Sequence, residues 1–158
     1  MSQPAPDQGP AAESDLLSGV HHIGIPVRDL DRSLEWYAAT LGLHADFVQV
    51  ADGPETSQTV QLDDTRLRFA FLQLPNAILE LLEYERPRGD DFSLRNCDVG
   101  AVHLCFEVDD IVAVHRRLSE RGVEFSIGPT TLDGAVTGHR CCYFRDPDGV
   151  QLELWQRP

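Results

Sequence analysis

The sequence predicts an α+β protein made of two copies of one β-α-β-β-β unit, and three observations predict it. Apolar residues switch between a two-residue and a 3.6-residue period, in the same order, twice along the chain. The first-strand stretch His22-Ile-Gly-Ile-Pro-Val-Arg-Asp-Leu recurs as His103-Leu-Cys-Phe-Glu-Val-Asp-Asp-Ile, 81 positions on. The last-strand stretch Ile78-Leu-Glu80-Leu-Leu recurs as Gln151-Leu-Glu153-Leu-Trp.

Taken in order, unit one reads as a strand over 20–27, a helix over 30–41, then strands near 45–50, 67–74 and 77–84. Unit two reads as a strand over 101–108, a helix over 111–121, then strands near 124–127, 139–144 and 150–155. Asp29, and Asp109 or Asp110, stand where a carboxylate accepts the first free amides of a helix. Leu30, Leu34, Tyr37 and Leu41 form one helical stripe, and Ile111, Val114 and Leu118 form its counterpart. Gly42 and Gly122 fall where a helix closes with positive φ. Asp146-Pro147-Asp148-Gly149 has the composition of a tight turn between two strands. The stretches 51–64 and 86–99 read as polar loops, the second joining the units. The chain divides into a disordered tail at 1–17 and one domain over 18–158, with module one at 18–86, a linker at 87–99 and module two at 100–158.

Bulk properties narrow the function. The 158 residues carry 13 Lys and Arg against 26 Asp and Glu, a formal charge of −13. Such a polyanion is repelled by nucleic acid phosphates and by anionic membrane surfaces. No apolar run reaches the roughly 18 residues that span a bilayer. The first residues lack the basic and apolar regions of a secretory signal. Cys97, Cys105, Cys141 and Cys142 match no metal-binding spacing, and the adjacent Cys141 and Cys142 point to opposite faces of one strand. Reduced thiols in a cytoplasmic protein are the expectation.

Period-two alternation then singles out four side chains. Val102, Leu104, Phe106 and Val108 make the helix-facing side of their strand, which turns His103 to the other side with Ala101, Cys105 and Glu107. Ile23, Ile25 and Val27 do the same in unit one, turning His22 away together with Gly24. Glu80 lies between Leu79 and Leu81, and Glu153 between Leu152 and Leu154, so each carboxylate faces away from its strand's apolar side. Alone, His22 reads as an ordinary hydrogen-bonded strand residue and Glu153 as surface charge near the C-terminus. Jointly, a His and a Glu at matched positions of two units fit one divalent metal ion, which would neutralise both carboxylates and leave positions for water or substrate. Two imidazoles and two carboxylates suit Zn, Ni, Co, Mn or Fe(II). His21, His44 and His115 read as surface or helix-side residues. His139, Arg140 and Tyr143, on the strand before the Asp146 turn, either reach the same cavity or line an exposed edge.

These segments resemble the vicinal-oxygen-chelate superfamily, which includes glyoxalase I, methylmalonyl-CoA epimerase, extradiol dioxygenases, fosfomycin-resistance enzymes and bleomycin-binding proteins. Val20-His-His-Ile-Gly-Ile-Pro-Val-Arg-Asp-Leu, Ile78-Leu-Glu-Leu, Val102-His-Leu-Cys-Phe-Glu-Val and Phe144-Arg-Asp-Pro-Asp-Gly-Val-Gln-Leu-Glu-Leu carry the likeness, in the family's order and over nearly all of 20–156. The resemblance implies two βαβββ modules forming a cupped, eight-stranded mixed sheet around a metal, and a homodimer. It puts the four glyoxalase I ligands at His22, Glu80, His103 and Glu153. The stretch Leu79-Glu-Leu-Leu-Glu-Tyr is epimerase-like, while Arg-Asp-Pro-Asp-Gly departs from the His-Pro-Lys turn of those epimerases. No glutathione-binding set of arginines stands out.

The function this implies is enolisation. A metal chelates adjacent oxygens of a small carbonyl substrate, and Glu153 or Glu80 removes the proton beside the carbonyl, giving lyase, isomerase or epimerase chemistry. Glu55, in the 51–64 loop, is a weaker candidate base. An Fe(II) extradiol dioxygenase using His22, His103 and Glu153, with His139 and Tyr143 nearby, is one alternative. A protein that sequesters a drug or metabolite is the other.

Overall fold

The computed structural model describes residues 16–91 and 94–158, so all but Leu16 and Leu17 of the expected tail lies outside the described residues. The eight strands form two four-stranded mixed sheets. The first contains β1 (Ile23–Pro26), β2 (Gln49–Asp52), β3 (Arg66–Gln73) and β4 (Ile78–Arg86), in the order β1-β4-β3-β2. The second contains β5 (His103–Glu107), β6 (Thr130–Thr131), β7 (Arg140–Arg145) and β8 (Gln151–Gln156), in the order β5-β8-β7-β6. In each, the first strand runs parallel to the last, and the other pairings are antiparallel. The repeat read from the sequence is therefore a repeat of topology.

Helix α1 (Leu30–Trp36) packs on the first sheet and α3 (Ile111–Glu120) on the second. Asp29 accepts from the Arg32 amide at 3.0 Å, and Asp110 from the Ala113 amide at 2.9 Å. A second acceptor serves each helix start from the last strand of its own sheet. Leu30 N donates to Glu83 at 3.1 Å, and Ile111 N donates to the Gln156 side chain at 2.9 Å. Glu83 and Gln156 each stand three residues beyond Glu80 and Glu153. An odd spacing on a strand reverses the face, so β4 and β8 present a carboxylate to one side and a helix anchor to the other. Helix α1 continues as a π-helical turn over Tyr37–Leu41, which buries Tyr37 and Thr40 and ends at Gly42 with φ +73°.

The helix-facing residues form two clusters, Ile25, Leu79, Leu81 and Tyr37 in one and Ile111, Phe144, Leu152 and Leu154 in the other. Trp36, Leu41, Leu104, Phe106 and Val150 touch both, so the modules share a core. The Asp146–Gly149 turn reinforces this joint. Asp146 accepts from the buried Tyr37 hydroxyl at 3.1 Å and, within the turn, from the Val150 amide at 2.8 Å. Asp148 accepts from the Arg28 amide, the Arg32 guanidinium and the Ser33 hydroxyl. From the other side, Arg121 donates to the Thr40 carbonyl at 2.5 Å.

Several local expectations change. The strand expected near 45–50 begins only at Gln49, and Ala45 makes a single bridge to Leu72. The strand expected near 124–127 reduces to a bridge from Phe125 to Phe144, and the edge is taken by β6. The 51–64 stretch holds helix α2 (Pro54–Val60), which has Pro at its start and buries none of its residues, so no apolar stripe marks it. Val102 is 85% exposed and precedes β5, because the strand starts at His103. Among the described residues no helix is long and apolar enough to cross a membrane.

Candidate metal centre

Register places the four singled-out side chains on the faces turned away from the helices. In the first sheet Glu80 pairs with Gly24 on one side and Phe71 on the other. His22, immediately before β1, has the parity of Gly24 and brings its Nε2 to 3.2 Å from Glu80 Oε2. Its Nδ1 is engaged at 2.9 Å by the Nδ1 of His21, which leaves Nε2 for the carboxylate side. Phe71 lies with its ring centroid 6.2 Å from that of His22, and Phe69 and Phe47 extend the aromatic wall.

The second sheet repeats the pairing with different neighbours. Glu153 stands between Cys105 and Tyr143. His103 Nε2 is 3.0 Å from Glu153 Oε2, and its ring meets Tyr143 edge-on at 5.7 Å. Glu153 is 4% exposed. Cys105 and Tyr143 flank it across the strand register, and Cys141 lies on the same face of β7 as Tyr143. Burial first, and then the influence of Glu153, push Cys105 up to about 12 and raise Cys141 and Tyr143. All three therefore stay protonated near neutral pH. Cys142, facing the core, is pushed up to about 11 by burial.

The donor set fits a divalent ion. Two ligands about 2.1 Å from one ion and about 90° apart stand roughly 3.0 Å from each other. The two nitrogen–oxygen separations, 3.2 and 3.0 Å, are close to that. Each pair has the spacing of one edge of a coordination shell, which is also that of an imidazole–carboxylate hydrogen bond, and imidazole and carboxylate are borderline and hard donors. Among the described residues no three His, Cys, Asp or Glu side chains are grouped to hold one ion. The structure joins His22 with Glu80 and His103 with Glu153, as two half-sites. Both histidine side chains are nearly half exposed, at 42% and 47%, so each half-site is open on its outer side.

The remaining candidates fall into place around this. Tyr143 belongs to the second half-site. His139 is buried just before β7, its ring 5.0 Å from Trp155 and its Nδ1 3.0 Å from the Val136 carbonyl. His44 is exposed, His115 lies against Phe125 with ring centroids 4.2 Å apart, and Glu55 opens α2 at the surface. Cys105 and Cys141 are the site neighbours that spacing alone missed. The signal was present in parity, since Cys105 shares a face with His103, but cross-strand register is needed to bring it beside Glu153.

Comparison with known proteins gives the family and the fold. Residues 19–154 match the Glyoxalase/Bleomycin resistance protein/Dioxygenase superfamily. The chain is 36% identical over 145 residues to a 2-epi-5-epi-valiolone epimerase from an Actinomyces species, covering 88% of this chain and 79% of that one. It is 33% identical over 112 residues to an ethylmalonyl-CoA/methylmalonyl-CoA epimerase from Cereibacter sphaeroides, covering 68% and 73%. A glyoxalase family protein from Bacillus cereus superposes with a TM-score of 0.75 at 21% identity, over 92% of this chain and 98% of that one. Its fold is the fold described above. The chain belongs to the Glyoxalase/Bleomycin resistance protein/Dioxygenase superfamily.

Proposed function

We propose that this protein is a divalent-metal-dependent epimerase acting on a small carbonyl compound with adjacent oxygens, and that its working unit is a homodimer. One observation carries this reading: a His and a Glu, about one coordination edge apart, stand at equivalent positions of both modules. Both relatives described above are named epimerases, which supports the reaction type.

Each chain offers two open half-sites, and no third ligand joins either within the chain among the described residues. A two-fold dimer resolves this. A two-fold pairing that brought the His22–Glu80 face of one copy against the His103–Glu153 face of the other would do so twice. His22, Glu80, His103 and Glu153 would then hold one ion between copies. When bound, the metal supplies Lewis acidity to a carbonyl oxygen of the substrate.

The chain's own groups do the rest. Inverting a stereocentre beside a carbonyl needs a proton removed from one face of the carbon and returned to the other. The Glu80 and Glu153 carboxylates, on opposite modules, would suit that pair of tasks once loosened from the ion by the substrate, one taking the proton and the other delivering it. The apolar wall of Phe47, Phe69 and Phe71 limits water on the Glu80 side.

Solvent deuterium exchange tests the proposal. Metal-loaded protein incubated in D2O with α-hydroxyketones, or with acyl-CoA esters bearing an α-stereocentre, should incorporate deuterium at the carbon next to the carbonyl. Absence of exchange across both substrate series overturns it. Oxygen uptake with catechols would point to dioxygenase chemistry instead, and tight binding without turnover to sequestration.

A further inference from the structure

The two half-sites are equivalent in topology and unlike in chemistry. Glu80 has Gly24 and Phe71 as its cross-strand neighbours, and neither side chain donates a hydrogen bond. At the equivalent positions Glu153 has Cys105 and Tyr143, an S–H and an O–H donor. A methyl group in place of the Gly24 hydrogen would meet the Leu82 side chain at 3.3 Å and Glu80 at 3.8 Å, so the first half-site is packed by apolar atoms. The second is packed by donors, and its carboxylate side chain is 5% exposed against 16% for Glu80.

We infer that Tyr143 and Cys105 are positioning residues for Glu153. They hold its carboxylate in one orientation toward His103, so that module two presents a fixed pair of donors while Glu80 is steered by His22 alone. The physical basis is general. Groups that hydrogen-bond a metal ligand set its orientation and basicity, and their loss weakens metal binding about 10- to 100-fold. A buried carboxylate with two neutral donors also has fewer rotamers open to it than one against apolar walls.

This inference rests on the metal-site reading above, and one experiment separates the two. Cobalt(II) is titrated into metal-free wild-type protein and into Tyr143→Phe, Cys105→Ala and Cys105→Ser, following the visible absorption of the bound ion. Tyr143→Phe and Cys105→Ala are expected to weaken cobalt binding about tenfold and to shift the absorption bands. Cys105→Ser, which keeps a donor, should return both toward the wild-type values, a rescue that a packing role would not give. Should Tyr143→Phe fail to fold, the two Cys105 variants carry the comparison. Unchanged affinity and spectra in folded Tyr143→Phe and Cys105→Ala overturn the positioning role and leave the metal site standing. Wild-type protein that takes up no cobalt sinks the metal-site reading, and the positioning role falls with it.

Discussion

Tyr37 and Asp146 meet across the two modules, the phenol donating to Oδ2 at 3.1 Å with the two residues 0% and 5% exposed. The contact ties the π-helical turn after α1 to the turn between β7 and β8. It closes the joint that sets the relative placement of the two sheets. Burial, followed by the negative charges of Asp146 and Asp148, raises the Tyr37 hydroxyl far above its ordinary range, so it is always a donor.

Removing that donor has a defined cost. Tyr37→Phe keeps the ring and leaves a buried carboxylate short of one partner, a loss of about 1–3 kcal/mol. Urea denaturation is expected to show a lower midpoint with an unchanged slope. A midpoint equal to wild type would show that the contact contributes nothing to the joint.

Asp146 also gives a pH signature. Burial raises its carboxyl above the ordinary 3.8, against the lowering effect of its hydrogen bonds. Between the ordinary and the raised value the folded state binds more protons than the unfolded state, so this group's contribution to stability falls as pH rises through that window. Asp146→Asn removes the titration. Its stability relative to wild type should therefore improve as pH rises from the ordinary carboxyl value and level off above the raised one. The difference between the two proteins is the quantity to measure, because other carboxylates act oppositely. Asp31, Asp52 and Asp98 are held low by hydrogen bonds from Arg68, Arg66 and Arg95, and their contribution is lost as pH falls. A pH-independent difference would contradict the assignment to Asp146.

The paired helix anchors make a third test. Glu83 accepts from Leu30 N at 3.1 Å and from Arg68 at 3.2 Å while only 8% exposed. Glu83→Ala is expected to destabilise by about 1–2 kcal/mol, through an unsatisfied amide at the positive end of α1. Gln156→Ala, at the equivalent place in module two, should cost about 1 kcal/mol. Thermal or denaturant melts read both, and wild-type melting of Glu83→Ala would refute the anchor role.

The repeat made much of this legible beforehand. His22 and His103, Glu80 and Glu153 stand out because period-two alternation fixes their faces, and because each recurs at a matched position. Asp29, Asp110, Gly42 and Gly122 could be read because capping depends on local chemistry alone. Helix α2 escaped because a helix that buries nothing leaves no apolar period, and only Gly53-Pro54 marks its start. The short β6 escaped because two residues carry no alternation. Cys105 beside Glu153 depends on register between strands 48 positions apart. The docking of Asp146 and Asp148 on α1 depends on packing between modules, which turn composition cannot reveal.

If one metal site is assembled from the half-sites of two copies, mixing two inactive variants reveals it most directly. His22→Ala and His103→Ala each spoil every site of their own homodimer. In a mixed dimer one site loses both histidines while the other keeps His22 from one copy and His103 from the other. After subunit exchange of equal amounts, metal uptake and deuterium exchange should return to about a quarter of wild type, as random pairing gives half mixed dimers with one intact site each. Mixtures that stay as inactive as the separate variants, although exchange is demonstrated, would contradict a site shared between copies.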